Sequence, residues 1–239
     1  MKICPKCNAK FAENETLCSF DREILKLDLT DLVGKILQNK YLIETKLGQG
    51  GMGTVFRAKH LLLDELVAIK ILSPALNDIA QYKRRFLREG QAAQLFQHPN
   101  ATRVYDVSVD EKIIPAGLLF MVQEYVEGVT LDEELKQHGR FSPKEALSLI
   151  EPIANALDEA HKAGVIHRDI KPHNIMIKRF SNGNIRVKLL DLGIAKIQNP
   201  SSSDNFELTP LTEEGAIVGT YHYMSPEQAG EIDRRRILG

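Results

Sequence analysis

The chain has 239 residues, with 31 Lys and Arg against 32 Asp and Glu, a formal net charge of −1. A charge this close to zero gives no electrostatic footprint for nucleic acid or an anionic membrane surface. Apolar residues make up 43%, too many for a disordered chain and enough to build a sizeable core.

No apolar run approaches the roughly 18 residues a membrane helix needs. The start, Met1-Lys2-Ile3-Cys4-Pro5-Lys6-Cys7, lacks the apolar stretch of a secretory signal. All three cysteines fall in the first 18 residues, an odd and clustered set that is no disulfide framework, so a reducing cytoplasm is expected. Cys4 and Cys7 have the spacing of a zinc-knuckle half-site, and Cys18 with Asp21 repeats it as C-x-x-D. Zinc takes four tetrahedral ligands, and a carboxylate oxygen is acceptable beside three thiolates. No histidine precedes His60, so Cys4, Cys7, Cys18 and Asp21 are the candidate zinc ligands of a small zinc-ribbon-like segment over residues 1–24. The alternatives are an external fourth ligand or a metal-free tail. Residues 25–37 read as a linker.

Residues 41–47, 54–60 and 67–72 read as strands, rich in β-branched and apolar side chains. A helix is expected over 79–96, stopped by His98-Pro99-Asn100, and then strands over 103–109 and 118–125. Thr130 with Glu133 makes a capping box for a short helix that Gly139 ends. Ser142, Pro143 and Glu145 start a longer one, with an apolar face through Leu149, Ile153, Leu157 and Ala160 and with Gly164 at C′. Strands over 175–177 and 185–190 flank Asn182-Gly183, a hairpin signal. Strands early and helices later indicate a segregated α+β architecture.

Gly48, Gly50 and Gly53 form G-x-G-x-x-G, a pattern that lets backbone approach phosphate oxygens closely. A dinucleotide-binding site would have these glycines open a helix, with an acidic residue about 20 positions on. Here a strand pattern follows and Lys70 stands near that distance. A strand-loop-strand flap over a nucleoside triphosphate fits better.

Val67-Ala68-Ile69-Lys70, His167-Arg168-Asp169-Ile170-Lys171-Pro172-His173-Asn174, Asp191-Leu192-Gly193 and Ser225-Pro226-Glu227 follow in the order of the protein-kinase signature set. Over about residues 38–232 the chain resembles bacterial serine/threonine protein kinases of the eukaryotic-like type. The resemblance implies a two-lobed kinase fold, with a β-rich N-lobe and a helical C-lobe, in a domain spanning residues 38–239. It implies ATP- and Mg2+-dependent phosphoryl transfer to serine and threonine hydroxyls of protein substrates. Lys70 would hold the α- and β-phosphates, positioned by Glu89. Asp169 would accept the substrate proton, Lys171 would contact the transferring phosphate, and Asn174 and Asp191 would hold magnesium. Leu47, Val55, Ala68 and Met176 would line the purine site, with Glu124 and Val126 as the main-chain segment that meets adenine and the polar Gln123 guarding the back pocket. Arg168 would pair with a phosphate on Thr209 or Thr212, and Thr220 fits serine/threonine specificity. The competing expectation is a non-catalytic nucleotide-binding or scaffolding fragment, against which Lys70, Asp169 and Asp191 are all present. The resemblance also implies further C-lobe helices beyond Gln228, which the residues up to Gly239 cannot supply. The isolated chain is therefore expected to be weakly active or inactive.

Overall fold

A computed structural model describes residues 2–190 except 5, 8, 13, 24, 51–52, 74–79, 114–116 and 168, together with Tyr223. Arg168, Asp191, Thr209, Thr212, Thr220 and Glu227 lie outside the described residues, as does the side chain of Glu89. The chain divides into two units, residues 1–97 with 102–126, and residues 98–101 with the remainder.

The first unit begins with three two-residue strands, β1 (Lys2–Ile3), β2 (Lys10–Phe11) and β3 (Lys26–Leu27), in the order β2-β1-β3. Cys4, Phe11, Cys18 and Leu25 form their buried cluster. A 3-10 helix, Leu29–Leu32, follows. Then come β4 (Ile36–Leu37), β5 (Tyr41–Gly50), β6 (Gly53–His60), β7 (Glu65–Leu72), helix α1 (Ala80–Leu95), β8 (Val104–Asp110) and β9 (Leu118–Glu124). The last six strands make one antiparallel sheet in the order β4-β5-β6-β7-β9-β8. Side-chain alternation on these strands sends Ile43, Phe56, Ile69, Ile71 and Phe120 to one core, all of them fully buried. Each contributes about 1.5–3 kcal/mol of burial. Residues 25–37, expected as a linker, are built into this unit. Leu25 sits in the small cluster, and Leu29, Leu32 and Leu37 sit in the core of the six-stranded sheet.

Register places Val55 opposite Lys70, and Lys70 opposite Met121. These three share the sheet face that does not carry Val67, Ile69 and Ile71. Helix α1 packs on this face, because a Cβ added at Gly90 would lie 2.1 Å from Val107 Cγ2 and 3.2 Å from Met121 Cε. Glycine at that point lets the helix lie close to the strands.

In the second unit β10 (Val129–Thr130), β11 (Ile175–Arg179) and β12 (Ile185–Leu189) form a small antiparallel sheet beside α2 (Leu131–His138) and α3 (Pro143–Lys162). Both expected capping boxes are present. Thr130 Oγ1 accepts from the Glu133 amide at 3.2 Å, and Ser142 Oγ accepts from the Glu145 amide at 3.3 Å. Each glutamate side chain returns to the cap residue's own N–H, satisfying two end donors at once. Helix α3 runs through Pro152 and buries Leu149, Ile153, Ala156 and Ala160, and Gly164 follows it at φ 76°. Asn182-Gly183 forms the turn of the β11–β12 hairpin, with Gly183 at φ 83°.

Candidate active site

In the first unit, β5 and β6 close the glycine loop with Gly50 paired to Gly53. Its glycines have different surroundings. A Cβ at Gly53 would lie 2.0 Å from Ile71 O, so this glycine is required by the adjoining strand β7. A Cβ at Gly48 or Gly50 would meet nothing among the described residues within 4 Å, leaving room for a ligand to approach the main chain. Leu47, before the loop, is 48% exposed. Val55 and Lys70 are half-buried on the same face, Ala68 is buried two residues along it, and Gln123 is buried opposite Ala68. The Glu124 N–H is bound to Arg103 O at 2.8 Å, and Val126 ends this unit. Glu89 lies on α1 beside Gly90, which fixes the helix against the sheet face carrying Lys70.

The second unit holds the loop through Asp169. Lys171 Nζ lies 2.8 Å from Asp169 Oδ2, and Asn174 Nδ2 donates to the same oxygen at 2.9 Å and to the Asp169 carbonyl at 2.8 Å. Both of these side-chain contacts among the described residues fall on Oδ2, and Oδ1 takes part in neither. With its nitrogen engaged by Asp169, Asn174 can offer its amide oxygen, the hard donor type that magnesium takes. The 3-10 helix Pro172–Asn174 keeps these residues within one turn, and the Asn174 N–H closes it on Lys171 O at 2.9 Å.

His167 braces the loop, a role the motif spacing did not reveal. It is 1% exposed, its Nδ1 accepts from the Asp169 amide at 3.2 Å, and its Nε2 lies 3.1 Å from Leu190 O. A ring that accepts at Nδ1 carries its proton at Nε2, so the neutral tautomer ties Asp169 to the residue immediately before Asp191. The Leu190 N–H reaches Asn174 O at 2.7 Å, a second tie between the same segments. Asn100 is a further residue whose role was missed, having been read only as a helix stop. Its Nδ2 donates to Val187 O at 2.8 Å, and the Leu189 N–H donates to Asn100 O at 2.8 Å, anchoring β12. Met176, on β11, lies opposite Thr130 and Lys188.

The cysteine cluster in the first unit is a separate constellation. One ligand atom from each of Cys4, Cys7, Cys18 and Asp21 lies within 4.8 Å of every other. Cys7 Sγ and Cys18 Sγ are 3.6 Å apart, and Cys4 Sγ is 3.2 Å from Asp21 Oδ1. Tetrahedral zinc with Zn–S bonds of about 2.3 Å has S···S edges of roughly 3.8 Å, so the donor set fits that ion. The two knuckles repeat one backbone pattern. The Cys4 N–H reaches Ala9 O at 2.9 Å, and the Cys18 N–H reaches Glu23 O at 2.8 Å, five residues on in each case. Asp21 therefore holds in the second knuckle the place Cys7 holds in the first. Hydrogen bonds from Cys18 and then Cys4 hold the Asp21 carboxyl at about 2. At Cys7 the Ala9 backbone pulls downward, but desolvation and hydrogen bonds to Cys4, Cys18 and Asp21 leave the thiol pushed up to about 12. Packing several would-be anions together costs energy unless a cation joins them.

The protein kinase domain family matches residues 41–234. The serine/threonine-protein kinase pkn3 of Myxococcus xanthus is 41% identical over 88% of this chain and 38% of its own length. PrkC of Bacillus subtilis is 39% identical over 83% of this chain and 28% of its own, and PknB of Mycobacterium tuberculosis 39% identical over 81% and 29%. The chain thus spans well under half the length of these relatives. Among solved structures, the Mycobacterium tuberculosis PknI kinase domain superposes with a TM-score of 0.55 at 30% identity, covering 68% of this chain and 62% of that one.

Proposed function

Since this chain belongs to the protein kinase family and has the protein-kinase fold, with bacterial serine/threonine kinases as its relatives, we propose that its protein transfers the γ-phosphoryl group of ATP to serine and threonine hydroxyls of protein substrates. The observation that carries this reading is the Asp169 carboxylate, held through Oδ2 by Lys171 and Asn174, with Oδ1 outside both contacts. Asp169 takes the hydroxyl proton and aligns that oxygen for in-line attack, and Lys171 then meets the transferring phosphate. Lys70 and the open backbone at Gly48 and Gly50 cradle the phosphates, and Leu47, Val55, Ala68 and Met176 supply apolar surface to the purine. Glu89 orients Lys70, and the main chain of Glu124 and Val126 meets adenine. Asn174 and Asp191 would hold magnesium, which when bound would supply positive charge to offset that of the phosphates. Phosphorylation of Thr209 or Thr212 by the protein itself would pair with Arg168 and order the segment around them.

No helix among the described residues is long and apolar enough to cross a membrane, and the three free cysteines fit the reducing cytoplasm. The test is incubation of the protein, as its own gene encodes it, with ATP, Mg2+ and a serine/threonine peptide library. Transfer to hydroxyls, with intact mass showing added phosphate and peptide mapping placing it on Thr209 or Thr212, supports the reading. Tight ATP binding with no transfer to any substrate would instead support a scaffolding role.

The paired knuckles favour a second assignment in the same chain, zinc held by Cys4, Cys7, Cys18 and Asp21. With all four positions filled by protein, the ion would be structural. Metal analysis of unchelated protein is expected to give one zinc per chain. Asp21→Cys should retain it, and Cys18→Ser should lose most of it. Zinc far below one per chain rejects the assignment.

A further inference from the structure

The ribbon and the six-stranded sheet are joined without slack. Strand β3 ends at Leu27, and the 3-10 helix that begins at Leu29 already belongs to the sheet, with Leu29 and Leu32 buried in the same cluster as Ile43, Phe56 and Ile69. The single residue between, Asp28, is 6% exposed and pairs with Lys10 of β2 at 2.9 Å. Beyond the 3-10 helix, the Gly34 N–H donates to Ile43 O and the Ile43 N–H to Lys35 O. Strand β4 then pairs with β5, the strand that ends in Gly48 and Gly50. A path of buried contacts therefore runs from the cysteine cluster to Ile43 of β5, the strand whose far end carries the glycine loop.

The ribbon cannot hold its end of that path alone. Its strands are two residues long, and its core is two cysteines, Phe11 and Leu25. So small a core does not offset the conformational entropy of ordering the segment, which is the situation in which metal binding supplies the folding free energy.

Resting on the zinc assignment above, we infer that metal occupancy of the ribbon governs the stability of the nucleotide-binding sheet, with the Lys10–Asp28 pair and the Leu29–Leu32 helix as the coupling element. When the metal leaves, β1, β2 and β3 lose their cross-link and Lys10 is no longer held beside Asp28. A buried carboxylate deprived of a cation it pairs with is strongly destabilised. Withdrawing Asp28 to water relieves this, and the one-residue joint takes Leu29 and Leu32 out of the sheet core with it. The edge formed by β4 and the start of β5 loosens as a result. Loss of zinc by chelation then weakens ATP binding at a site whose own residues are untouched.

The experiment starts from native-sequence protein whose zinc content has been measured. Zinc is removed with 1,10-phenanthroline in excess Mg2+, and thermal unfolding and binding of a fluorescent ATP analogue are followed before removal, after it and on adding zinc back. The melting temperature is expected to fall by roughly 5 °C or more on removal and to recover with zinc, with analogue affinity changing in parallel. Lys10→Ala should keep one zinc per chain, melt lower than the parent protein, and lose most of the shift on chelation. If zinc is present at one per chain but removing it moves the melting temperature by less than about 1 °C, the coupling is wrong and the zinc assignment stands. Zinc well below one per chain removes the assignment itself, and the coupling falls with it.

Discussion

Asp169→Asn lowers phosphoryl transfer to a serine or threonine peptide by about 10²–10⁴-fold, with ATP affinity and melting temperature close to those of the parent protein. The change is nearly isosteric, and the local bonds determine its outcome. Lys171 Nζ and Asn174 Nδ2 both donate to Oδ2 of Asp169, so the carbonyl oxygen of the new amide is drawn to that position. Its NH2 then occupies the place of Oδ1 and presents a donor to the substrate hydroxyl. A donor cannot take up the proton, so the chemical step fails while the loop keeps its shape. The His167 bonds to the Asp169 amide and to Leu190 O involve main-chain atoms and survive the change. Initial rates with radiolabelled ATP, separated into kcat and KM for ATP, are the measurement, with melting temperature as the control for folding. A kcat within about threefold of the parent value would remove Asp169 from the role of proton acceptor.

This loop was legible in the sequence because its chemistry is local. Asp169, Lys171 and Asn174 lie within five positions of one another, and a single 3-10 turn is enough to bring them together. Lys70 and Ala68 came from the motif resemblance, and strand alternation explains why they share a face apart from Val67, Ile69 and Ile71. The brace from His167 to Leu190 spans 23 positions and depends on a tautomer, which no spacing encodes. Gly90 was equally silent, because its reason is the approach of Val107 from a strand formed later in the chain. Strands β1, β2 and β3 are too short to show a period, so the sequence indicated candidate ligands at the N-terminus without the sheet that carries them. Leu29, Leu32 and Leu37 looked like scattered apolar residues of a linker. Only the sheet they cover explains their spacing.

Gly53→Ala and Gly48→Ala should separate two functions that the glycine pattern merges. At Gly53 the new Cβ would stand 2.0 Å from Ile71 O and 3.3 Å from Leu72 Cα, where the first residue of β6 pairs with the last of β7. The obstacle is backbone, which cannot rotate away, so β6 must separate from β7 or the hairpin must shift. Overpacking of this kind costs about 2–3 kcal/mol, read as a fall in melting temperature of roughly 5–10 °C. Because β7 carries Lys70 opposite Val55, that shift also displaces the lysine, and KM for ATP rises together with the loss of stability. At Gly48 the added Cβ meets nothing among the described residues within 4 Å, so the melting temperature is expected to stay within about 1 °C of the parent value. The methyl group instead enters space that the nucleotide would occupy against the main chain, and KM for ATP rises by about tenfold through lost close contact. Thermal unfolding and ATP kinetics on the two variants give four numbers. A Gly48→Ala protein as unstable as Gly53→Ala would show that the first glycine serves the hairpin. An unchanged KM in Gly48→Ala would show that the open side of the loop does not face the phosphates.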